Sequence, residues 1–135
     1  MINVAYFKLK ELTKYFNFSQ EVALDNLPGY TTEYLVPGEK ILASYHNNVD
    51  YILFTDRRLI LFDKKPFLEL KRIHNIPFES ISSCAIDFAP GKAKLFFSMD
   101  SGYQLRIDFT KMNHYKKERL KSLYKSMVEK NLNKR

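Results

Sequence analysis

The segment that most constrains the fold of this chain runs from Tyr51 to Asp63. It contains two apolar blocks of four residues, Tyr51–Phe54 and 59–62, on either side of the polar tetrad 55–58. Short blocks of branched and aromatic residues that end at turn-forming residues are typical of strands. The segment therefore predicts two strands joined by a tight hairpin.

Similar short segments recur along the middle of the chain, separated by turn-forming residues. The predicted strands cover residues 41–46, 50–55, 58–63, 67–75, 80–88, 94–99 and 103–109. In the last of them, the apolar residues Tyr103, Leu105, Ile107 and Phe109 alternate with polar ones, as expected of a strand with one buried face. Seven strands repeating at roughly ten residues predict a sandwich or a small barrel.

Both ends of the chain carry a helical apolar period. Near the N-terminus, Ala5, Leu9, Leu12 and Phe16 predict a helix within residues 2–18. After Asn113, a plausible N-cap, a second apolar stripe predicts a C-terminal helix that plugs one end of the barrel. That stripe consists of Leu120, Leu123, Tyr124, Met127, Val128 and Leu132.

Three motifs follow one another in an order that resembles the bacterial pleckstrin-homology-like (PH-like) families. They are the Gly-Glu-Lys of 38–40, the Thr-x-Arg-Arg-Leu-Ile of 55–60 and the Ile-Pro-Phe-x-Ser-Ile of 76–81. The resemblance covers about 36–132 and implies a half-open barrel of about seven antiparallel strands closed by a helix. We expect one compact unit, with an N-terminal helix and connector over 1–35 and a PH-like domain over 36–135.

The resemblance also implies that Thr55 and Arg58 are fold-signature positions. Thr55 suits a tight turn through side-chain hydrogen bonds to the backbone, and an arginine at such a turn can pair with a carboxylate. Pro77 is expected to end one strand, and Ile81 to enter the next. We therefore predict structural roles for these four residues, in preference to the alternative of an anion site at the tetrad 55–58.

The sequence does not indicate a catalytic, cofactor or metal site. The four glycines are isolated in turns, so no phosphate-binding loop of a known type is present. Cys84 lies on the predicted buried face of its strand, where a thiol is inert. The three histidines lie on three different predicted elements, whereas metal sites need converging ligands. We expect a protein that is not an enzyme.

The net charge of +7 comes entirely from residues 111–135. Such asymmetry either solvates a helix face or marks contact with an anionic partner. Lys117, Lys121 and Lys125 form one helical stripe that would suit anionic lipid, and Lys64 and Lys65 offer a further pair of cations. Lysines alone would bind nucleic acid weakly and without sequence preference, which argues against that partner.

Eukaryotic PH domains that bind phosphoinositides carry several cations in and beside their first hairpin loop. The matching loop here, 45–50, contains no Lys or Arg. This departure argues against inositol phosphate at the usual place, because several phosphates need several cationic donors.

We therefore predict a non-catalytic PH-like interaction module that binds protein partners or copies of itself. The alternative is peripheral binding to an anionic membrane through the basic C-terminal helix. One cysteine suits a reducing cytoplasm. No apolar run exceeds four residues, so a membrane-spanning helix is not expected. The N-terminus lacks a basic region ahead of an apolar stretch, so no signal peptide is expected. The predicted location is the cytoplasm, or the inner face of the membrane in the alternative.

Overall fold

The computed structural model describes residues 13–65 and 70–133. Within these ranges the chain is mainly β, with one long helix at its C-terminal end. The strands are β1 Thr13–Phe18, β2 Gln20–Glu21, β3 Ile41–His46, β4 Tyr51–Thr55, β5 Arg58–Lys65, β6 Leu70–Pro77, β7 Ile81–Ala89, β8 Lys92–Met99 and β9 Gln104–Phe109. The α-helices are α1 Gly29–Thr32 and α2 His114–Leu132, and single 3-10 turns cover Leu24–Asn26 and Phe78–Ser80.

The strands form two sheets that share one core. One sheet has the order β1-β9-β8-β7 and the other the order β2-β3-β4-β5-β6. All neighbouring strands are antiparallel except β1, which runs parallel to β9. Because only Ser19 separates β1 from β2, the N-terminal segment links the two sheets.

The main core lies between the inner faces of the sheets and one face of α2. In β9, Leu105, Ile107 and Phe109 are buried while the residues between them are partly exposed, as the alternation predicted. Helix α2 adds Leu120, Leu123 and Met127 to the same cluster. The C-terminal helix therefore closes the barrel with its apolar stripe.

A smaller core covers the outer face of the five-stranded sheet. Leu53, Ile60 and Phe62 are fully buried there beneath residues of the connector, such as Leu27 and Tyr30. This second core explains why the apolar blocks of β4 and β5 are unbroken, since both faces of these strands are removed from water.

The structure confirms the seven predicted strands, with ends shifted by a few residues, and the C-terminal helix. For the fourth predicted strand, residues 67–69 lie outside the described ranges. Asn113 is the N-cap of α2, and its side chain accepts a hydrogen bond from the Lys116 amide at 2.8 Å.

The predicted N-terminal helix is wrong where the structure describes it. Residues 13–18 form strand β1, which pairs with β9, and residues 2–12 of the predicted helix lie outside the described ranges. The physical reason is a period of two: Phe16 and Phe18 are buried, whereas Tyr15 and Asn17 are exposed. The predicted division of the chain at residues 35 and 36 stays a prediction.

Candidate functional site

Strand β7 is the last strand of its sheet, and helix α2 lies beside it. β7 pairs with β8 on one side, and no strand among the described residues pairs with its other side. Three side chains of α2 donate hydrogen bonds to β7 carbonyls. They are Lys117 to Ala89 at 2.6 Å, Tyr124 to Cys84 at 3.4 Å and Asn131 to Ile81 at 2.7 Å. Because the partners run in opposite order on the two elements, α2 is antiparallel to β7.

One flank of α2 remains apolar beyond its buried stripe. Tyr124, Val128 and Leu132 are spaced four residues apart, so they lie one above another on this flank. They line a shallow cavity of about 360 Å³ with Lys125, Glu129 and Asn133. Leu132 is 75% exposed, which shows how little of this flank the barrel covers.

Alternate residues of β7 are on the side of the sheet that faces the core, against which α2 also packs. Cys84, Ile86 and Phe88 lie opposite buried residues of β8, so their side chains point to the inner side of the sheet. Cys84 and Ile86 pack against the main core, whereas Phe88 is 44% exposed. We call the surface formed by Cys84, Ile86, Phe88, Lys117, Lys121, Tyr124, Val128 and Leu132 the β7–α2 groove.

Charged residues occur at both ends of the groove. Lys117 is at the Ala89 end, and Asp87, Lys92 and Lys94 line a cavity beside Ala89. Lys121 Nζ is 3.1 Å from Glu118 Oε2, and both residues are exposed. The other end combines the apolar Val128 and Leu132 with the charged Lys125 and Glu129.

The Tyr124 hydroxyl links α2 to the middle of β7. Two effects raise the pKa of Tyr124 to about 12. Burial is the larger one, and the hydrogen bond with Cys84 is the second. The phenol is therefore protonated at neutral pH and donates to the Cys84 carbonyl. The Cys84 thiol is itself 3.7 Å from this hydroxyl.

The predicted fold-signature residues Thr55 and Arg58 lie in a separate polar network. Arg58 donates from Nε and Nη2 to the two carboxylate oxygens of Glu39, both at 2.8 Å. It also donates to the Asn75 side chain at 2.9 Å and to the Tyr34 carbonyl at 2.7 Å. Thr55 Oγ1 donates to Glu39 at 2.7 Å. Both residues therefore belong to one polar network with Glu39, and the structural role of Thr55 and Arg58 stays a prediction.

Glu39 was missed as the partner of Arg58, although the Gly-Glu-Lys motif contains it. Its side chain has no exposed surface, and the hydrogen bond from Arg58 lowers the pKa of Glu39 to about 2. The network ties the β4–β5 hairpin to the connector that precedes β3. Nearby, Pro77 is the last residue of β6 and lies opposite Arg58, and Ile81 is the buried first residue of β7.

The predicted cationic contacts are divided between two elements. Lys64 and Lys65 are at the end of β5, where their backbones pair with β6. Lys117, Lys121 and Lys125 are on α2, and Lys117 donates to the Ala89 carbonyl of β7. Only the lysines of α2 therefore belong to the groove.

A further polar cluster, which the sequence did not indicate, lies at the open side of the barrel. His74 Nδ1 is 3.3 Å from the Tyr103 hydroxyl, and Nε2 is 3.5 Å from an Asp63 carboxylate oxygen. Desolvation lowers the pKa of His74, which favours the neutral ring. The neighbouring cavity is about 360 Å³, and its lining includes Ser80, whose hydroxyl donates to the Pro77 carbonyl instead of to the imidazole.

The described residues contain no group of three or more His, Cys, Asp or Glu side chains arranged to hold a metal ion. Within the same part of the chain, none of the helices combines the length and the apolar character that crossing a bilayer requires.

Two proteins of Bacillus subtilis resemble part of this chain. The uncharacterised protein YozO is 35% identical over 77 residues, which are 54% of this chain and 68% of YozO. The uncharacterised protein YjqA is 38% identical over 74 residues, which are 54% of this chain and 55% of YjqA. The matched region thus spans little more than half of YjqA.

Solved structures share the fold at low sequence identity. A DUF1696 family protein with a pleckstrin-homology domain from Shewanella loihica has a TM-score of 0.64 and 21% identity, covering 82% of this chain and 95% of that one. A PH-domain-containing protein from Exiguobacterium sibiricum also has a TM-score of 0.64, with 19% identity, covering 85% of this chain and 62% of that one. These likenesses show the fold.

The family comparison covers almost the whole described chain. The model of the bacterial PH domain matches residues 12–131, which include all nine described strands and nearly all of α2. This match shows that the chain belongs to the bacterial PH domain family.

Proposed function

We propose that this chain is a non-catalytic interaction module that binds a protein partner, or a second copy of itself, at the β7–α2 groove. One observation carries the proposal: β7 is the last strand of its sheet among the described residues, and the helix beside it exposes an apolar flank with Val128 and Leu132. Exposed apolar surface beside an edge strand marks a site of protein–protein contact.

The exposed apolar residues of the groove can contribute binding free energy when a partner covers them. Phe88 and Leu132 are 44% and 75% exposed, and they lie at opposite ends of the groove. Covering such side chains contributes up to about 1.5–3 kcal/mol each, before the cost of ordering the two partners. Two or three such contacts and a few backbone hydrogen bonds would support binding of moderate strength.

The contacts of α2 favour this proposal over attachment to lipid. Leu120, Leu123 and Met127 face the barrel core, so they are not available for insertion into a membrane. Lys117 donates to the Ala89 carbonyl, and Lys121 pairs with Glu118. A location in the cytoplasm goes with the proposal, and the free thiol of Cys84 supports it.

The test compares groove variants with a variant on another face of the same helix. Val128→Glu and Leu132→Glu place charge in the groove, whereas Ser122→Glu places it on an exposed position away from β7. We expect the groove variants to lose protein partners in affinity capture, or self-association in light scattering, while Ser122→Glu retains them. A strict monomer whose captured proteins are the same for all variants would contradict the proposal.

A further inference from the structure

We infer that the cavity at the open side of the barrel is a second binding site, which takes a primary alkylammonium group. The cavity lies between the end of β6, the 3-10 turn Phe78–Ser80 and the turn that joins β8 to β9. We call it the His74–Tyr103 cavity after two of its lining residues. The inference is independent of the proposed function, because this cavity and the β7–α2 groove share no residue.

The walls of the cavity are partly apolar. Ile76 and Met99 line it and are buried, and the half-buried Tyr103 packs against the main core. The volume of about 360 Å³ is at the lower end of the range for small-molecule sites. The cavity therefore suits a small ligand with an apolar body, such as a short alkyl chain.

The direction of the hydrogen bond made by Tyr103 follows from the neighbours of His74. An Asp63 carboxylate oxygen is 3.5 Å from His74 Nε2, so its charge favours the tautomer that carries hydrogen on Nε2. Nδ1 is then the acceptor for the Tyr103 hydroxyl, 3.3 Å away. Burial raises the pKa of Tyr103 to about 12, so the phenol keeps its proton at neutral pH. With that hydrogen directed at Nδ1, the Tyr103 oxygen offers a ligand its lone pairs.

Ser80 offers a second acceptor. Its hydroxyl donates to the Pro77 carbonyl at 2.8 Å, so its oxygen can accept a hydrogen bond but has no second hydrogen to give. The oxygens of Tyr103 and Ser80 therefore both favour a ligand group that donates.

The lining also contains two uncharged donors. Asn75 accepts from Arg58 at 2.9 Å through its side-chain oxygen, which leaves its amide nitrogen as a donor, and Arg58 is itself paired with Glu39. The Ser101 hydroxyl can donate or accept. Neither Asn75 nor Ser101 repels a cation, and both allow a further polar group on the ligand.

Asp100 supplies the charge of the cavity. It is exposed on the turn between β8 and β9, and its amide donates to the Ser80 carbonyl at 2.9 Å. In the part of the chain that the structure describes, no ion pair involves its carboxylate. An ammonium group has three hydrogens to donate and no acceptor, so it matches a carboxylate beside the acceptor oxygens of Tyr103 and Ser80.

The cations near His74 do not line the cavity. Burial is the largest effect that lowers the pKa of His74, and the charges of Arg72 and Lys14 add to it, so the imidazole is neutral at neutral pH. Neither Arg72 nor Lys14 is among the lining residues. Asp100 is therefore the charged side chain that a ligand meets in this cavity.

The inference can be tested on the full chain with two small probes that differ in charge. Pentylamine is the cationic probe, and pentanol is its neutral counterpart of nearly equal size. In NMR titrations at low salt, both should shift the amide signals of residues 99–103. Pentylamine should bind about fivefold more tightly, because an ion pair between partly exposed groups adds modestly to affinity. Equal affinities, or no shift of these signals by pentylamine, would overturn the inference.

Variants separate the cavity from general attraction between charges. Asp100→Asn keeps the backbone hydrogen bond to Ser80, and it should weaken pentylamine about three- to fivefold without changing pentanol. Asp87→Asn removes an exposed carboxylate in β7 and should leave both affinities unchanged. Tyr103→Phe should weaken both probes, because each of them donates a hydrogen bond to the Tyr103 oxygen. Equal effects of Asp100→Asn and Asp87→Asn on pentylamine would overturn the assignment of Asp100.

Two further probes distinguish the sources of the ammonium group. Diaminopentane represents a free diamine, and lysine blocked at both its amino and carboxyl ends represents the side chain of another protein. At least one of them should displace pentylamine from the cavity. Displacement at lower concentration by diaminopentane assigns a free amine, and displacement at lower concentration by the blocked lysine assigns a protein side chain. Displacement by neither would overturn the inference.

Discussion

Glu39 is a buried carboxylate whose charge is held by the guanidinium of Arg58, nineteen residues further along the chain. Two parallel hydrogen bonds join the pair, and Thr55 adds a third to the carboxylate. Burying an ion pair costs solvation energy, but removing one partner of an existing pair costs more because the other charge is left alone. The pair therefore makes this corner of the barrel sensitive to acid.

The predicted acid sensitivity can be measured with Glu39→Gln. The folded-state pKa of Glu39 is about 2, below its ordinary value of 4.5, so the carboxylate stabilises the fold at neutral pH. This contribution is on the order of 3 kcal/mol and is lost as the pH falls from about 5 to 2. In urea unfolding, we expect the stability difference between wild type and Glu39→Gln to shrink over that range.

A matched control for this measurement is Glu33→Gln, because Glu33 is exposed. That variant should follow the wild type at each pH. A constant difference between wild type and Glu39→Gln from pH 7 to pH 2 would show that the charge of Glu39 does not stabilise the fold.

The sequence contained both members of this pair but did not connect them. The Thr-x-Arg-Arg motif predicted a turn at Thr55 and Arg58 from local chemistry, and β4 and β5 meet there. The choice of Glu39 as the partner of Arg58 depends on how the connector crosses the end of the hairpin. A linear pattern does not specify that crossing.

At the scale of elements, helix α2 has a buried apolar stripe and an exposed apolar flank. The sequence predicted the stripe but did not distinguish the flank from it. The sequence pattern predicts one apolar stripe that includes Leu123, Val128 and Leu132, but only Leu123 is in the core, and Val128 and Leu132 line the exposed flank. Helical spacing places all of them on neighbouring parts of the surface. Which of these residues are buried depends on where β7 and the rest of the barrel contact the helix, and the helical period does not specify that contact.

The stripe accounts for a large share of the stability of the domain. Leu123→Ala should destabilise the fold by about 2–5 kcal/mol, because it opens a cavity where the helix meets the barrel. Thermal or urea unfolding measures the change. Tyr115→Ala is the control on the same helix, since Tyr115 is 71% exposed, and it should change stability by less than about 0.5 kcal/mol. Similar losses for both variants would contradict the packing of α2 against the core.

The N-terminal segment shows why one prediction was wrong. Phe16 fits both a helical stripe with Leu12 and a strand face with Phe18. Six residues are too few for the apolar period to distinguish these alternatives. Pairing with β9 along residues 13–18 favours the strand, and the Thr, Tyr and Phe residues of this segment also have high strand propensity.

At the scale of the whole molecule, the fold was more predictable than the candidate site. Strand spacing, the two-sided burial of β4 and β5, and the helical period after Asn113 are local patterns that survive in the sequence. The groove depends instead on a contact between Cys84 and Tyr124, which are forty residues apart, and on β7 being the edge of its sheet. These are properties of the topology, so the residues of the groove could be identified only after the sheets were assembled.

The central claim is that partners contact the β7–α2 groove, and site-specific photocrosslinking in living cells tests it most directly. A photoreactive amino acid at Val128 should form covalent adducts with a protein partner or a second copy of the chain, because this position lines the apolar flank. The same amino acid at Tyr115, on an exposed face away from β7, should form far fewer adducts. Equal yields and identical products at the two positions, or no adduct at Val128, would contradict the claim.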